Sequence, residues 1–149
     1  MKPAAYRLVM TNYPDHTRVS IRFADLDPAS HLNNVALGQF YEEGRSHFIR
    51  HTLEKDLTRS YRMLAAEVSV QYLKEGRHPG ALDVATGIAR IGRSSFVLGQ
   101  ALFQDGECIG TADVTMVLAK ADGVAEMSDA IRQALEARSI RPADAAANA

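Results

Sequence analysis

The sequence predicts an α+β fold in which one long helix packs on an antiparallel sheet. Residues 34–53 carry apolar side chains at helical spacing, and four strand-like segments follow between residues 64 and 120. One long helix and a run of consecutive strands are typical of a layered α+β domain. No linker or repeat divides the 149 residues, so we expect a single domain, 1–149, with its core at about 17–120.

The first strand is predicted at residues 17–24, where apolar and polar side chains alternate. Val19, Ile21 and Phe23 should face one way, and this period of two indicates a half-buried strand.

The helix is predicted at residues 34–53 because Leu37, Tyr41, Gly44 and Phe48 recur at helical spacing. Glycine lowers helix propensity, so its presence requires another reason. We expect the small residues Ala36, Gly38 and Gly44 to let the helix lie close to the sheet.

Four further strands alternate with turns: residues 64–73, 82–91, 95–103 and 107–120. The Gly- and Pro-containing segment 74–80 is typical of a loop, and Asp105-Gly106 is typical of a hairpin turn. A short helix is predicted at about 128–138. The tail, 141–149, has few side chains to bury and should fray.

Composition excludes several classes of protein. The net charge of −1 gives no basic footprint for nucleic acid. Cys108 is the only cysteine, which excludes an internal disulfide and a cysteine-rich zinc site. No apolar run has membrane-spanning length and no signal peptide is recognisable. We therefore predict a cytoplasmic protein without membrane or nucleic-acid partners.

The junction between the first strand and the helix concentrates polar residues. Pro28 restricts Asp27 to an extended backbone, and Asn33 or Asn34 is a natural helix N-cap. The first N–H groups of a helix lack internal partners and carry partial positive charge. A carbonyl lodged there would be polarised, while the nearby Asp27 carboxylate could attack it or activate water. The sequence therefore indicates a minimal acyl-transfer site.

The same residues carry a family resemblance. F-A-D-L-D-P-A-S-H-L-N-N at residues 23–34, followed by F-Y-E-E-G-R at 40–45, resembles the signature of hotdog-fold acyl-CoA thioesterases of the 4-hydroxybenzoyl-CoA thioesterase-like family. The resemblance covers about residues 17–120 and implies an antiparallel five-to-six-stranded sheet wrapped around one long central helix. The chain departs from the family pattern at two positions: Ser30 stands where glycine is usual, and Gly44 where alanine is usual.

The resemblance implies roles for individual residues. Asp27 would be the catalytic acid, the backbone N–H of Asn34 would polarise the carbonyl, and Asp25 would be structural. Glu42 is the reserve catalytic acid, since some relatives carry an acid on the helix. No cofactor or metal is implied. The predicted substrate contacts are His31, Asn33, Tyr41, Arg93, Ser94 and Ser95, the last three as the phosphate contact.

The resemblance also implies an acyl-CoA substrate and a homodimer with the site at its interface, in some cases doubled to a dimer of dimers. Two other functions stay open: hydrolysis of an acyl thioester on an acyl carrier protein (ACP), and a non-catalytic dimer that binds an acyl thioester or a protein.

Several of these residues also have simpler interpretations. Asp25 and Asp27 could be plain turn formers. Tyr41 could be a core residue. His47 and His51 share a helix face and could bind a metal, but no third ligand is evident, so a surface pair is the favoured interpretation.

Overall fold

A computed structural model describes residues 2–53 and 59–142 as one antiparallel sheet with a long helix on one face. The helices are α1 (Asn34–Thr52) and α2 (Asp129–Glu136). The strands are β1 (Asp15–Ser20), β2 (Arg62–Tyr72), β3 (Ala81–Ile91), β4 (Ser95–Gln104), β5 (Glu107–Lys120) and β6 (Gly123–Val124). The sheet order is β1-β3-β4-β5-β2, and β6 pairs with β5. The predicted α+β arrangement is confirmed.

The first strand ends earlier than predicted. β1 stops at Ser20, opposite Ala81 of β3, and a 3-10 turn follows at Phe23–Asp25. Phe23 is 80% exposed rather than facing the core. The cause is local: the Asp25 carboxylate accepts the Arg22 backbone N–H at 2.7 Å, which closes a turn where the alternation predicted extended chain.

Helix α1 lies against β1, β3 and β4, and the sheet surface that it covers is the helix face. Gly44 makes the close approach possible, because a Cβ there would lie 2.3 Å from Cγ1 of Val84. Gly38 has no such role, since a Cβ at that position would have no atom within 4 Å. The expectation of close packing therefore holds for Gly44 and is wrong for Gly38.

The opposite surface of the sheet, the outer face, is covered by the two ends of the chain. The Arg7 guanidinium is buried there and donates to Tyr13 Oη, Ala112 O and Asp113 Oδ1. Burial lowers the pKa of Arg7, but its contacts with Tyr13 and Asp113 outweigh this and hold the pKa above its usual value. Burial also raises the pKa of Tyr13 to about 12. Arg141 N–H donates to Asn12 O at 3.0 Å, joining the two ends.

Strand β2 is an edge strand, paired with β5 on one side only among the described residues. Val68 and Tyr72, whose strand partners Val114 and Gly110 belong to β5, are about half exposed. Helix α1 does not cover this edge, because its main contacts are with β1, β3 and β4. Among the described residues, β2 therefore has one unpaired edge and exposed apolar side chains.

Ser128 caps the short helix α2, its hydroxyl accepting the Ile131 N–H at 3.3 Å. Most of the predicted frayed tail, residues 143–149, lies outside the described residues. No helix within the described ranges is long and apolar enough to cross a membrane.

Candidate functional site

A tight loop joins the 3-10 turn at Phe23–Asp25 to α1. Asp27 N–H donates to His31 O at 2.8 Å and Ser30 N–H donates to Asp27 O at 2.9 Å, while Leu26 and Leu32 form an isolated β-bridge. Ser30 has φ 64°, a left-handed conformation that favours glycine. The serine that departs from the family pattern thus occupies the position where glycine would be least strained.

The Asp27 carboxylate lies inside this loop. Its Oδ1 accepts the backbone N–H groups of Ala29 at 2.8 Å and His31 at 3.1 Å. Its Oδ2 has no hydrogen-bond partner among the described residues. One oxygen therefore fixes the orientation of the carboxylate, and the other remains available for a ligand.

The N-terminus of α1 follows directly. Asn33 is the N-cap, and its Oδ1 accepts the Ala36 N–H at 2.7 Å. The backbone N–H groups of Asn34 and Val35 have no acceptor within the described parts of the chain. They lie at the positive end of a helix whose residues run from 34 to 52. The Asn34 N–H is therefore a free donor in a favourable field for an oxyanion.

Asp27 and Asn34 line one cavity of about 340 Å³. Its lining residues are Asp27, His31, Leu32, Asn34, Leu37, Tyr72, Leu73, Lys74, Glu75 and Gly76. Apolar side chains, those of Leu32, Leu37 and Leu73, stand beside the carboxylate and the free backbone donor, and this combination is typical of a small-molecule site.

The second wall, residues 72–76, was not predicted from the sequence. It contacts the first wall, which is the loop from Asp27 to Asn34, through the Leu32 N–H, which donates to Gly76 O at 3.1 Å. A second contact between the two walls is that of His31 Nε2 with Glu75 Oε2, at 3.1 Å. The segment 74–80 carried only loop signals in the sequence, so nothing local indicated its place at the site.

Asp25 lies behind the site rather than in it. Its buried carboxylate bonds the Arg22 guanidinium, with 2.7 Å between Oδ1 and Nη2. This hydrogen-bonded pairing lowers the pKa of Asp25 below its usual value. The backbone oxygen of Asp25 accepts the Asn33 N–H at 2.9 Å, so Asp25 ties the turn to the start of α1.

Two predicted site residues on α1 lie away from this cavity. Tyr41 is buried, only 2% exposed, and does not line it. Glu42 lines a different groove, on the exposed side of α1, and pairs with Arg45 at 3.1 Å. Helical geometry separates them, because successive residues point about 100° apart around the axis.

The predicted phosphate contact, Arg93-Ser94-Ser95, is also distant from Asp27 within one chain. Ser95 begins β4, whereas Leu102 of β4 pairs with Gly110, the partner of Tyr72 on β2. Seven positions along β4 correspond to about 23 Å. Arg93 instead pairs with Glu126 at 3.3 Å on the surface.

His47 and His51 form a stacked pair, with ring centroids 4.0 Å apart. His47 Nδ1 lies 3.1 Å from Asp15 Oδ2, and His51 Nδ1 lies 2.8 Å from His47 O. No group of three or more potential metal ligands occurs within residues 2–53 and 59–142.

Comparison with protein families shows to which family the chain belongs. Residues 21–135 match the thioesterase-like superfamily. The chain belongs to that superfamily. Membership assigns it thioester hydrolysis as its class of reaction and makes it an enzyme. A comparison with curated protein sequences finds no match.

Solved thioesterase structures share the fold. A thioesterase from Thermus thermophilus, complexed with coenzyme A and Zn, is 26% identical, with a TM-score of 0.78 over 89% of this chain and 100% of that chain. A predicted thioesterase from Bacillus stearothermophilus is 28% identical, with a TM-score of 0.76 over 85% and 97%. The probable thioesterase YbaW from Escherichia coli is 19% identical, with a TM-score of 0.74 over 83% and 97%, and shares the fold alone. The hotdog fold expected from the motif is confirmed.

Proposed function

We propose that this thioesterase hydrolyses an acyl-CoA to the free acid and coenzyme A at the cavity that holds Asp27 and Asn34. One observation carries the proposal: a carboxylate oxygen and a helix N-terminal N–H, both without partners among the described residues, line the same cavity. The coenzyme A complex of the Thermus relative supports CoA as the carrier.

The reaction needs two functions from the chain. The Asn34 N–H donates to the thioester oxygen and stabilises the negative charge that develops there. Asp27 either removes a proton from the attacking water or attacks the carbonyl carbon itself to give a mixed anhydride. In the first route the C–S bond breaks as the tetrahedral intermediate collapses, and the CoA thiolate takes up a proton. In the second, the C–S bond breaks as the anhydride forms, and the CoA thiolate leaves and takes up a proton; water then hydrolyses the anhydride and regenerates the Asp27 carboxylate.

The predicted homodimer fits the exposed edge of the sheet. A second copy could pair with β2 in antiparallel register and cover the half-exposed Val68. Edge-to-edge pairing satisfies the unpaired backbone groups of an edge strand. It also sets the Arg62 end of one β2 beside the Tyr72 end of the other.

This antiparallel arrangement gives Arg93, Ser94 and Ser95 a route to the site. The turn between β3 and β4 lies at the same end of the sheet as Arg62, since Ser95 pairs with Val117 and Arg62 with Ala119. In the dimer, the turn of the second copy would approach the Asp27 cavity. Arginine offers a planar fork for phosphate oxygens, and these residues would then contact the CoA nucleotide.

The test is thiol release from short, medium, long and aryl acyl-CoAs by the wild type and by Asp27→Asn. Asparagine retains an Oδ1 for the Ala29 and His31 N–H groups but removes the charge, so the loop should persist. We expect hydrolysis to fall by about 100-fold or more. Asp122→Asn is the matched control, because it makes the same change at an exposed turn and should leave the rate unchanged.

The outcomes separate the alternatives. Full activity of Asp27→Asn would show that Asp27 is not the catalytic acid. Glu42→Gln would then test whether Glu42, the reserve acid, has that role. Hydrolysis of an acyl-ACP but of no acyl-CoA would show that the substrate is carried by ACP rather than by CoA. No turnover of either ester by the wild type would contradict the proposed function and favour a binding role.

A further inference from the structure

The hydroxyl of Tyr41 is buried and has no hydrogen-bond partner among the described residues. The side chain is only 2% exposed, and its ring packs with Leu37, Leu102 and Ala112 in the core between α1 and the sheet. An unpaired buried hydroxyl is destabilising, and phenylalanine would fill the same volume without that cost. Packing alone therefore accounts for the ring but not for the oxygen.

The oxygen lies beside the candidate site. A Cβ on Gly110 would be 2.9 Å from Tyr41 Oη, so the missing side chain at Gly110 provides the space that the hydroxyl occupies. Gly110 pairs with Tyr72 across β5 and β2, and Tyr72 lines the Asp27 cavity. Leu37, one helical turn before Tyr41, also lines the cavity. The hydroxyl thus lies next to Gly110, whose strand partner Tyr72 forms one wall of the cavity together with Leu37.

Tyr72 forms the exposed side of that wall. Tyr72 is 52% exposed, and its phenol oxygen makes no hydrogen bond within the described parts of the chain. A rotation of this side chain would connect the cavity to the space above Gly110. Burial raises the pKa of Tyr41 far above its usual value, so the group remains a neutral donor over the physiological pH range.

The reach from the reacting carbonyl to this hydroxyl is short. Tyr41 follows Asn34 by seven residues on α1, which is about 10 Å along the axis. Helical side chains lean toward the N-terminus, which shortens that distance. An extended chain covers about 1.2 Å per bond, so a substituent within about eight bonds of the thioester carbonyl could meet the hydroxyl.

We propose that Tyr41 is a specificity residue whose hydroxyl binds a hydroxyl or keto group on the acyl chain of the substrate. The enzyme would then prefer oxygenated medium-chain acyl esters to plain alkyl esters. This inference rests on the proposed acyl-CoA hydrolysis and adds the chemical class of the acyl group.

The experiment compares matched substrates with matched variants. Hydrolysis of octanoyl-CoA is measured against octanoyl-CoA carrying a hydroxyl or a keto group at carbon 5 or carbon 7. The enzymes are the wild type, Tyr41→Phe and Tyr13→Phe. Tyr13 is the control because its buried hydroxyl already bonds Arg7 on the outer face, away from the site.

For the wild type we expect kcat/KM to be about tenfold or more higher for at least one oxygenated ester than for octanoyl-CoA. In Tyr41→Phe that ratio should fall to near one. Tyr13→Phe should lower the Tm and leave the ratio unchanged. Tyr41→Phe should not lower the Tm, because it removes an unpaired polar atom.

Hydrolysis of octanoyl-CoA by the wild type with no preference for any oxygenated ester would overturn this inference and leave the proposed function standing. A preference that survives Tyr41→Phe would also overturn it. Failure to hydrolyse any of these octanoyl esters would overturn this inference, whereas the proposed function would fall only if the short, long and aryl acyl-CoAs were not hydrolysed either.

Discussion

Replacing Gly44 by alanine should push α1 away from the sheet. The added Cβ would lie 2.3 Å from Val84 Cγ1 and 3.3 Å from Gln100 Nε2. Both neighbours are completely buried in adjacent strands, so neither can move into solvent. The helix backbone must shift instead, and the Asn34 N–H would shift with it relative to Asp27.

Two effects of opposite sign set the magnitude. Alanine is favoured over glycine in a helix interior by about 1 kcal/mol. Overpacking a filled core costs about 1–3 kcal/mol, and a contact this short belongs at the upper end. We expect a net loss of about 1–2 kcal/mol in the free energy of unfolding. For a chain of this length that lowers the Tm by about 2–8 °C.

Gly38→Ala is the matched control on the same helix. Nothing lies within 4 Å of a Cβ at that position, so the helix-propensity term acts alone and should stabilise the protein by about 0.5–1 kcal/mol. Thermal unfolding followed by circular dichroism, at one protein concentration for all variants, measures both. A Gly44→Ala variant as stable as the wild type would refute the packing argument.

Two further predictions concern the Asp25 turn and the sheet edge. Pairing with Arg22 lowers the folded-state pKa of Asp25. The ionised Asp25 therefore stabilises the folded chain fully above the ordinary carboxyl pKa of about 4, and this stabilisation is lost as the pH falls through the lowered pKa. Asp25→Asn should therefore reduce stability at pH 7 and flatten its fall in acid, as measured by urea unfolding at several pH values; an unchanged acid profile would contradict this. In the proposed β2-edge dimer, Val68→Arg should shift the mass measured by light scattering from dimer toward monomer, whereas Glu67→Arg on the other face of β2 should not; a Val68→Arg dimer of unchanged affinity would exclude this edge as the interface.

The parts of the molecule that depend on neighbouring residues were predictable. The predicted helix, 34–53, agrees with Asn34–Thr52 because its period and its cap are both local. The loop that holds Asp27 was recognisable for the same reason, since its hydrogen bonds span at most four residues. One local feature was missed: the bond from the Arg22 backbone N–H to the Asp25 carboxylate closes a turn and ends β1 earlier than the alternation predicts.

The parts that depend on distant pairing were not predictable. The second wall of the site follows from one bond between Leu32 and Gly76, and nothing in the segment 74–80 indicates that partner. Apolar periodicity placed Tyr41 on the inner side of α1 but could not reveal that its hydroxyl lies unpaired above Gly110. The distance of Arg93 from Asp27 likewise depends on strand register.

The burial of Arg7 has a consequence for the chain as it is synthesised. Two of its hydrogen-bond partners, Ala112 and Asp113, come 105 and 106 residues later, and the backbone contact between Asn12 and Arg141 spans a still longer interval. These contacts therefore cannot form until β5, and finally Arg141, have left the ribosome. We expect this stretch of translation to be the period in which the chain most depends on chaperones, since contacts between distant residues form slowly.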